Sequence, residues 1–271
     1  YQDLNKEQME AVDYSGGPIL IVAGAGSGKT RVLTSRLMAI LKSGVSSESV
    51  IAITFTNKAA EEMKNRVNLF ISKLANLPFI GTFHSFGARI LKKEGRLVGR
   101  GANFSIFDED DAMKVVKSIV KNFNLPTNGK SLSPAALRRE FSRIKNELAD
   151  IEYENETTKY LYKEYESALA GNNAFDFDDL IEKPARLFLE NRNILEKYQN
   201  QFQHILVDEF QDTNIAQYFL IKLLAEKHRN LSVVGDDQQS IYKFRGSDFR
   251  NFLNFEKDWP KTKVVLLEQN Y

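Results

Sequence analysis

Residues 23 to 30 read Ala-Gly-Ala-Gly-Ser-Gly-Lys-Thr, and they lie between an apolar run and a segment of helical composition. Glycines in such a strand-to-helix turn allow backbone N–H groups to point inward around phosphate oxygens. In a loop of this kind Lys29 reaches the β and γ phosphates, and the hydroxyl of Thr30 is a magnesium ligand. The strict form of the pattern begins with glycine, whereas this chain has Ala23. The stretch predicts a phosphate-binding loop inside an α/β domain.

Short apolar runs on both sides of this loop predict buried strands. They lie at residues 18–23, 50–55, 79–83, 204–208, 231–235 and 264–267. Each run is rich in β-branched residues and lacks clean alternation, which is typical of strands covered on both faces in a parallel sheet. Helical composition follows two of the runs, at residues 30–42 and 57–69. The pattern predicts an α/β fold with a parallel sheet.

The stretch between residues 83 and 204 has no strand-like run and carries helical periodicity instead. It predicts a helical accessory domain at residues 100–172, inserted into an α/β domain made of residues 1–99 and 173–271. The acidic run from Asp108 to Asp111 is expected at a helix N-terminus, where the helix dipole favours negative charge. Ser133 and Pro134 predict another helix start. The pair Arg138 and Arg139 is expected on a solvated face.

Two carboxylates follow the apolar run of residues 205–207 directly. Asp208 at the tip of that strand, beside the phosphate loop, is placed to bind Mg²⁺ directly or through one of the ligands of the ion. Glu209 is placed to orient or deprotonate an attacking water molecule. Together with the loop, this pair predicts a site for hydrolysis of a nucleotide.

The overall composition excludes several classes of protein. The chain has 37 Lys and Arg against 36 Asp and Glu, so its net charge of +1 excludes a basic tail protein but leaves room for a local basic groove. Because there is no cysteine, a disulfide framework, a Cys-ligated zinc and a thiol nucleophile are excluded. No apolar run approaches the length of a membrane span and no signal peptide opens the chain, so the expectation is a cytoplasmic protein without membrane association.

Eight ordered motifs resemble those of superfamily 1 DNA helicases of the UvrD/Rep/PcrA type. They occupy residues 4–8, 23–31, 54–60, 81–86, 176–180, 208–213, 234–246 and 269–271. The resemblance implies a RecA-like P-loop NTPase fold and ATP-driven 3′-to-5′ translocation and unwinding. Two positions depart from the family pattern. Gln238 stands where the family usually has Asp, and Phe244 stands where many members have Trp and keeps only the aromatic face.

The resemblance also implies roles around ATP and Mg²⁺. Gln8 would read the adenine edge, flanked by Arg31 and Tyr271. Phosphates would be held by the loop residues Ala23, Gly24, Ala25, Gly26, Ser27, Gly28, Lys29 and Thr30, and Mg²⁺ by Thr30 and Asp208. Glu209 would be the general base, Gln239 would sense the γ-phosphate and couple it to DNA, and Arg245 would bring positive charge to that phosphate.

Single-stranded DNA and its junctions with duplex are the partners that the resemblance implies. Aromatic side chains that stack on bases would be Phe55, Phe177, Tyr242 and Phe244. Contacts to the phosphate backbone would come from Thr56, Asn57 and His84. For the aromatic residues the alternative is packing in a core, and for His84 it is a packed or capping role.

The chain stops at Tyr271. The resemblance implies that the motif at residues 269–271 continues beyond this point with an arginine and that a second RecA-like domain follows. We therefore expect an amino-terminal fragment whose partner, the second RecA-like domain, is missing. Such a fragment is expected to hydrolyse ATP very slowly. One alternative is the helicase portion of a RecB-like helicase–nuclease, but the length of the insertion at residues 100–172 favours the simpler UvrD-like type. Another is a nucleotide-gated DNA-binding module without unwinding, against which Glu209 argues. A small-molecule P-loop kinase is disfavoured because no acceptor pocket is evident.

Overall fold

A computed structural model describes residues 4–24, 26–70, 76–123, 133–236 and 250–267 of the chain. The chain divides into two compact units. The sheet unit consists of Tyr1–Phe83, Asn191–Asn214 and Tyr218–Tyr271, and the helical unit consists of His84–Glu190 and Ile215–Gln217. The helical unit is therefore wider than the insertion at residues 100–172 that the sequence predicts.

The secondary structure elements are numbered along the chain. The helices are α1 (Lys6–Asp13), α2 (Lys29–Lys42), α3 (Asn57–Phe70), α4 (Phe83–Glu94), α5 (Glu109–Asn122), α6 (Pro134–Asn146), α7 (Glu156–Gly171), α8 (Asp179–Glu190), α9 (Arg192–Gln201), α10 (Ile215–Ala225) and α11 (Arg250–Asp258). The strands are β1 (Ile19–Ala23), β2 (Val50–Thr54), β3 (Phe79–Thr82), β4 (Ser105–Phe107), β5 (Ala174–Asp176), β6 (His204–Val207), β7 (Leu231–Gly235) and β8 (Lys263–Leu267). No helix of the described ranges is long and apolar enough to cross a membrane.

A six-stranded sheet forms the centre of the sheet unit, in the order β3-β2-β6-β7-β1-β8. All five of its strand pairs run parallel. Every residue of β2 and of β7 is buried, which explains why these runs are apolar without alternation. The predicted parallel α/β fold is confirmed, and each of the six predicted strands is present.

The carboxyl ends of parallel strands meet at one edge of a sheet, and here three predicted site segments and Asp236, which was not predicted, lie at that edge. The phosphate loop follows β1, Phe55 follows β2, Asp208 follows β6 and Asp236 follows β7. Beneath this edge, Ile21, Leu206, Val234 and other apolar side chains form a continuous buried core.

The helical unit has its own core between α5, α6 and α7, centred on Val116, Phe141 and Tyr165. Asp108 caps α5 by accepting a hydrogen bond from the backbone N–H of Asp111, and Ser133 caps α6 in the same way, as predicted. The helix α4 belongs to this unit because its Leu91 packs with Phe175 and Leu180 in a smaller buried cluster.

The expectation that no strand lies between residues 83 and 204 is wrong. The strands β4 and β5 pair in parallel within the helical unit, with Ile106 opposite Phe175. Each strand has only three residues, and Ser105 and Ile106 are exposed while β5 is buried throughout. Runs this short carry neither alternation nor a continuous apolar stretch, so periodicity does not reveal them.

Candidate active site

The described residues of the phosphate loop lead directly into α2. Gly28 has a φ of +83° at the N-cap of that helix, a conformation that favours glycine, and the Oγ of Ser27 donates to the carbonyl of Gly24 at 2.7 Å. Free backbone N–H groups at a helix N-terminus form an anion site. Ala23, where the family pattern has glycine, is the buried last residue of β1, so its methyl group belongs to the core.

Gln8 connects the first helix to the phosphate loop. Its side chain forms a capping box with Asn5, with distances of 3.1 and 2.8 Å between the bonded atoms. Its Nε2 donates to the carbonyl of Ser27 at 3.1 Å, and the residue is buried. Arg31 is half-buried just beyond the loop. Gln8 is therefore fixed against the loop on which the resemblance places the nucleotide.

Arg36 holds the other end of α1, a role that the sequence reasoning missed. Its guanidinium donates to the carbonyl of Ala11 at 2.8 Å and to the Oγ of Ser232 at 2.7 Å, and also to the carbonyl of Tyr14. Burial lowers the pKa of Arg36 to about 10. The only sequence signal was a basic residue seven positions after Lys29 in a helix whose other core-facing residues are mostly apolar.

Thr30 and Asp208 come together at the carboxyl edge of the sheet. The Oγ1 of Thr30 donates to Oδ2 of Asp208 at 2.9 Å, and the backbone N–H of Glu209 donates to Oδ1 at 3.1 Å. Burial and the negative charge of Glu209 raise the pKa of Asp208 to about 6. A divalent cation would relieve this unfavourable burial of a carboxylate.

The donor set fits Mg²⁺, which prefers oxygen ligands and commonly takes one or two carboxylates together with substrate phosphates. Thr30 and Asp208 supply a hydroxyl and a carboxylate within one hydrogen bond of each other. Within the described ranges, no group of three or more His, Asp and Glu side chains could hold a metal ion by itself. The geometry thus suits an ion that shares its ligands with a bound nucleotide.

Glu209 presents a partly open carboxylate beside the loop lysine. Its backbone is left-handed, with a φ of +47°, and its side chain is 34% exposed. The Oε2 atom lies 3.9 Å from the Nζ of Lys29 and accepts a hydrogen bond from the Nε2 of Gln211 at 2.9 Å. The Nζ of Lys29 also donates to Oδ2 of Asp236 at 3.1 Å.

Gln211 and Asp236 are members of this site to which the sequence reasoning gave no role. The Oε1 of Gln211 accepts a hydrogen bond from the backbone N–H of Asp236 at 3.0 Å. Both residues lie inside motifs that the sequence does display, and each follows the end of a predicted strand. The position of Gln211 two residues after Glu209, and of Asp236 directly after Gly235, was the signal that could have found them.

Three of the predicted DNA contacts lie after β2 in the sheet unit. Phe55 is half-buried and packs edge-to-face on Phe83, with ring centroids 5.7 Å apart. Thr56 and Asn57 are exposed, and the hydroxyl of Thr56 accepts from the backbone N–H of Ala59 at 3.1 Å. Phe55 is thus partly a packing residue and Thr56 partly a helix cap, and their DNA contacts stay predictions.

The other two described candidates, His84 and Phe177, meet in the helical unit. Their rings pack edge-to-face with centroids 5.8 Å apart, and Phe177 is 47% exposed. Burial lowers the pKa of His84, although the charge of Asp178 opposes this. The pair presents an open aromatic face next to an imidazole, and its contact with DNA stays a prediction.

Buried ion pairs hold the turn that carries Phe177. Lys145 is completely buried, and its Nζ lies 3.0 Å from Oδ2 of Asp176 and 2.7 Å from Oδ1 of Asp179. The two aspartates also accept hydrogen bonds from each other's backbone N–H. Asp176 and Asp179, on either side of Phe177, are therefore fixed in the interior, while the ring of Phe177 remains exposed to solvent.

Arg138 corrects the expectation of a solvated basic face. It is buried and bonds Oδ2 of Asp178 at 3.0 Å and Oε2 of Glu109 at 2.9 Å. Two carboxylates compensate its charge, which is the condition for burying a guanidinium. Arg139, its neighbour in sequence, is exposed.

Several predicted site residues lie outside the described ranges. They are Ala25, Gln239, Tyr242, Phe244, Arg245 and Tyr271. Their assignments to the phosphate loop, the γ-phosphate, DNA and adenine stay predictions.

Comparison with known proteins gives a consistent family. The model of the UvrD/REP helicase N-terminal domain matches residues 4–260. A protein named ATP-dependent DNA helicase PcrA from Staphylococcus aureus (strain Mu50) is 48% identical over 277 residues, covering 99% of this chain and 38% of the relative. A protein of the same name from Staphylococcus epidermidis (strain ATCC 12228) is 46% identical over 279 residues, covering 100% of this chain and 38% of the relative.

The chain thus spans well under half the length of these two relatives. The family match extends over the phosphate loop, the acidic strand end and both compact units. It agrees with the resemblance carried by the eight motifs and with the RecA-like parallel sheet. The chain therefore belongs to the family of the UvrD/REP helicase N-terminal domain.

Proposed function

We propose that this chain is the ATP-hydrolysing part of a DNA helicase that translocates 3′ to 5′ along single-stranded DNA. The observation that carries the proposal is the meeting of Lys29, Thr30, Asp208 and Glu209 at one edge of the sheet. Two relatives bear the name ATP-dependent DNA helicase PcrA, which supports the choice of nucleotide and nucleic acid.

In the proposed reaction the chain binds the phosphates of ATP and activates water. Backbone N–H groups at the start of α2 and the ammonium of Lys29 hold the phosphate oxygens. Thr30 and Asp208 hold Mg²⁺, which when bound neutralises developing charge on the phosphates. Glu209, whose carboxylate is open on one side, orients the attacking water and accepts its proton.

Gln8 is the proposed reader of the adenine edge. A side-chain amide has two N–H donors and one carbonyl acceptor. The structure uses one N–H on the carbonyl of Ser27 and the acceptor on Asn5. The second N–H is the donor that the proposal assigns to adenine, with Arg31 and Tyr271 on the faces of the base.

Phe177 is the proposed stacking platform of the helical unit, and Phe55, Tyr242 and Phe244 are the other aromatic contacts. Thr56, Asn57 and His84 are proposed to contact the DNA backbone.

Gln239 and Arg245 are proposed to act on the γ-phosphate. A second RecA-like domain is the proposed partner that completes the nucleotide site, and without it this chain hydrolyses ATP very slowly. Junctions of single-stranded and duplex DNA are the proposed sites of unwinding.

ATP hydrolysis by the longest natural polypeptide that contains this chain tests the proposal. The rate is measured without nucleic acid and with single-stranded DNA, duplex DNA or RNA, and Glu209→Gln, which is expected to keep only a small residual rate, serves as the reference. Strong stimulation by single-stranded DNA that is lost in Glu209→Gln supports the proposal. A rate that does not respond to nucleic acid contradicts it. Unwinding of duplexes with a 3′ or a 5′ single-stranded tail tests the direction, and preference for the 5′ tail contradicts 3′-to-5′ movement.

The DNA contact of Phe177 is tested by single-strand affinity. Phe177→Ala removes a stacking contact of about 1–3 kcal/mol, so the affinity is expected to fall by roughly 5- to 150-fold. Tyr153→Ala is the matched control, because Tyr153 is another exposed aromatic residue of the same unit, outside every proposed contact. Equal affinity of the two variants for single-stranded DNA contradicts the proposal that bases stack on Phe177.

A further inference from the structure

Gln211 occupies a buried position in the short turn Phe210–Asp212 that follows Glu209. Both ends of its side-chain amide are bonded. The Nε2 atom donates to Oε2 of Glu209 at 2.9 Å, and the Oε1 atom accepts from the backbone N–H of Asp236 at 3.0 Å. With only 3% of the residue exposed, water does not readily replace either bond.

The two partners determine which way the amide points. An ionised carboxylate only accepts hydrogen bonds and a backbone N–H only donates them. The amide nitrogen must therefore face Glu209 and the oxygen must face Asp236. Glutamate at position 211 keeps the acceptor but loses the donor, and alanine loses both.

Gly235 makes room for this arrangement. A Cβ atom on Gly235 would lie 2.8 Å from the Oε1 of Gln211 and 3.3 Å from its backbone nitrogen. The same Cβ would lie 2.8 Å from Cε2 of Phe252, and contacts below 3.0 Å require a shift, so any other residue at 235 displaces the side chains of Gln211 and Phe252. The end of β7 and the turn after β6 are thus built around the glutamine side chain.

The carboxylate of Glu209 has two polar partners near this turn, Lys29 and Gln211. Lys29 lies 3.9 Å from Oε2 and attracts it, whereas the bond from Gln211 holds it at its present distance from the ammonium. We propose that Gln211 is a positioning residue, which orients the carboxylate of Glu209 for the attacking water and ties it to the backbone of Asp236. This inference rests on the proposed function, because it assumes that Glu209 acts on water.

The first test is steady-state ATP hydrolysis by Gln211→Ala in the longest natural polypeptide containing the chain, with saturating single-stranded DNA. We expect kcat to fall by about 10- to 100-fold, as for other residues that orient a reacting group through a hydrogen bond, with KM for ATP changed by less than about threefold. Gln211→Glu is expected to lose a similar factor, since it lacks the donor. Gln199→Ala is the matched control, because Gln199 is another buried glutamine of the sheet unit, whose Nε2 donates to the carbonyl of Leu223 at 2.7 Å.

The second test places Gln211→Ala in a Glu209→Gln background. If Gln211 acts through Glu209, its removal costs less than about twofold there, because the two losses are not additive. An equal loss in both backgrounds, a loss confined to KM, or an unchanged kcat in the single variant overturns the inference. Should Gln211→Ala fail to fold by circular dichroism, Gln211→Glu carries the same comparison.

The outcomes separate this inference from the proposed function. If the unmodified protein shows no DNA-stimulated hydrolysis, or if Glu209→Gln remains fully active, the proposed function fails and the inference fails with it. If both behave as proposed while the Gln211 variants keep their full kcat, only the inference is overturned.

Discussion

The Nζ atom of Lys29 lies 3.1 Å from Oδ2 of Asp236, and both side chains are buried. One residue belongs to the phosphate loop after β1 and the other follows β7, the neighbouring strand in the sheet. In this geometry the ammonium that is proposed to bind phosphate already has a carboxylate partner. A nucleotide must therefore compete with Asp236 for Lys29.

Asp236→Asn is expected to tighten nucleotide binding. The substitution removes the competing negative charge but keeps a side chain of the same shape, so the phosphates meet an ammonium that is less well neutralised. We expect the Kd for a fluorescent ATP analogue to fall by roughly three- to tenfold, since tenfold corresponds to about 1.4 kcal/mol. Without nucleotide the variant is expected to melt at a lower temperature, because a buried pair has lost one partner.

Asp258→Asn is the control for this change. Asp258 accepts from Lys222 at 2.8 Å in the same unit, and neither residue belongs to the proposed site. Its nucleotide affinity should equal that of the unmodified chain. Unchanged or weaker binding by Asp236→Asn would show that the carboxylate does not compete with phosphate.

The predictability of the fold depended on the length of each run. The strands of the main sheet have four or five residues, and β2 and β7 are buried on both faces, so the composition of these runs alone indicated a parallel sheet. The strands β4 and β5 escaped prediction because three residues cannot display a period, and Ser105 and Ile106 are exposed. The helices of the insertion were predictable from their apolar spacing and from the caps Asp108 and Ser133.

Site residues that lie in a local sequence motif could be predicted. Contacts that depend on which strands pair, and in what register, could not. Lys29 and Thr30 are fixed by the loop, and Asp208 by its place after β6. The pairing of Gln211 with Asp236 requires β6 and β7 to be neighbours, with Val207 opposite Val233. A single sequence does not contain that register. Burial of Arg138 was missed for a similar reason, since its partner Asp178 is forty positions away in the chain.

Lys145 is the centre of a buried ionic cluster in the helical unit. Its Nζ lies within 3.0 Å of carboxylate oxygens of Asp176, Asp179 and Glu166. Burial opposes its charge, but these carboxylates raise the pKa of Lys145 well above its ordinary value. Burial raises the pKa of Asp179 to about 7 even though Lys145 is in contact with it. The cluster therefore depends on the lysine more than on any single carboxylate.

Lys145→Met is expected to destabilise the helical unit by about 3–5 kcal/mol, because it leaves the buried carboxylates of Asp176 and Asp179 and the half-buried one of Glu166 without their common partner. Urea unfolding followed by circular dichroism measures the loss as a lower midpoint. Lys114→Met is the matched control, since Lys114 pairs with Asp111 on the exposed surface of α5, and its midpoint should not change. Equal midpoints for the two variants would mean that protons, and not Lys145, neutralise the carboxylates.

The raised pKa of Asp208 makes the stability of the sheet unit depend on pH. Burial and Glu209 move this pKa from an ordinary 3.8 to about 6, so the folded chain binds the proton more tightly than the unfolded chain does. The stabilisation from protonated Asp208 is complete below about pH 4 and is lost as the pH rises through about 6. Without nucleotide or divalent cations, the ionised carboxylate thus weakens the fold at neutral pH.

Asp208→Asn removes this titration, so the variant is expected to gain stability relative to the unmodified chain as the pH rises from 4.5 to 7.5. The gain should be roughly 2 kcal/mol, measured as the difference between their urea midpoints at the two pH values. Asp258→Asn is the control. Burial acts to raise the pKa of Asp258, but hydrogen bonds from Lys222 and Tyr218 lower it below its ordinary value. The difference in urea midpoint between Asp258→Asn and the unmodified chain should therefore stay constant over this range. A constant or shrinking difference for Asp208→Asn would show that Asp208 is already ionised at pH 4.5, and that Thr30 and Lys29 stabilise its charge more than burial disfavours it.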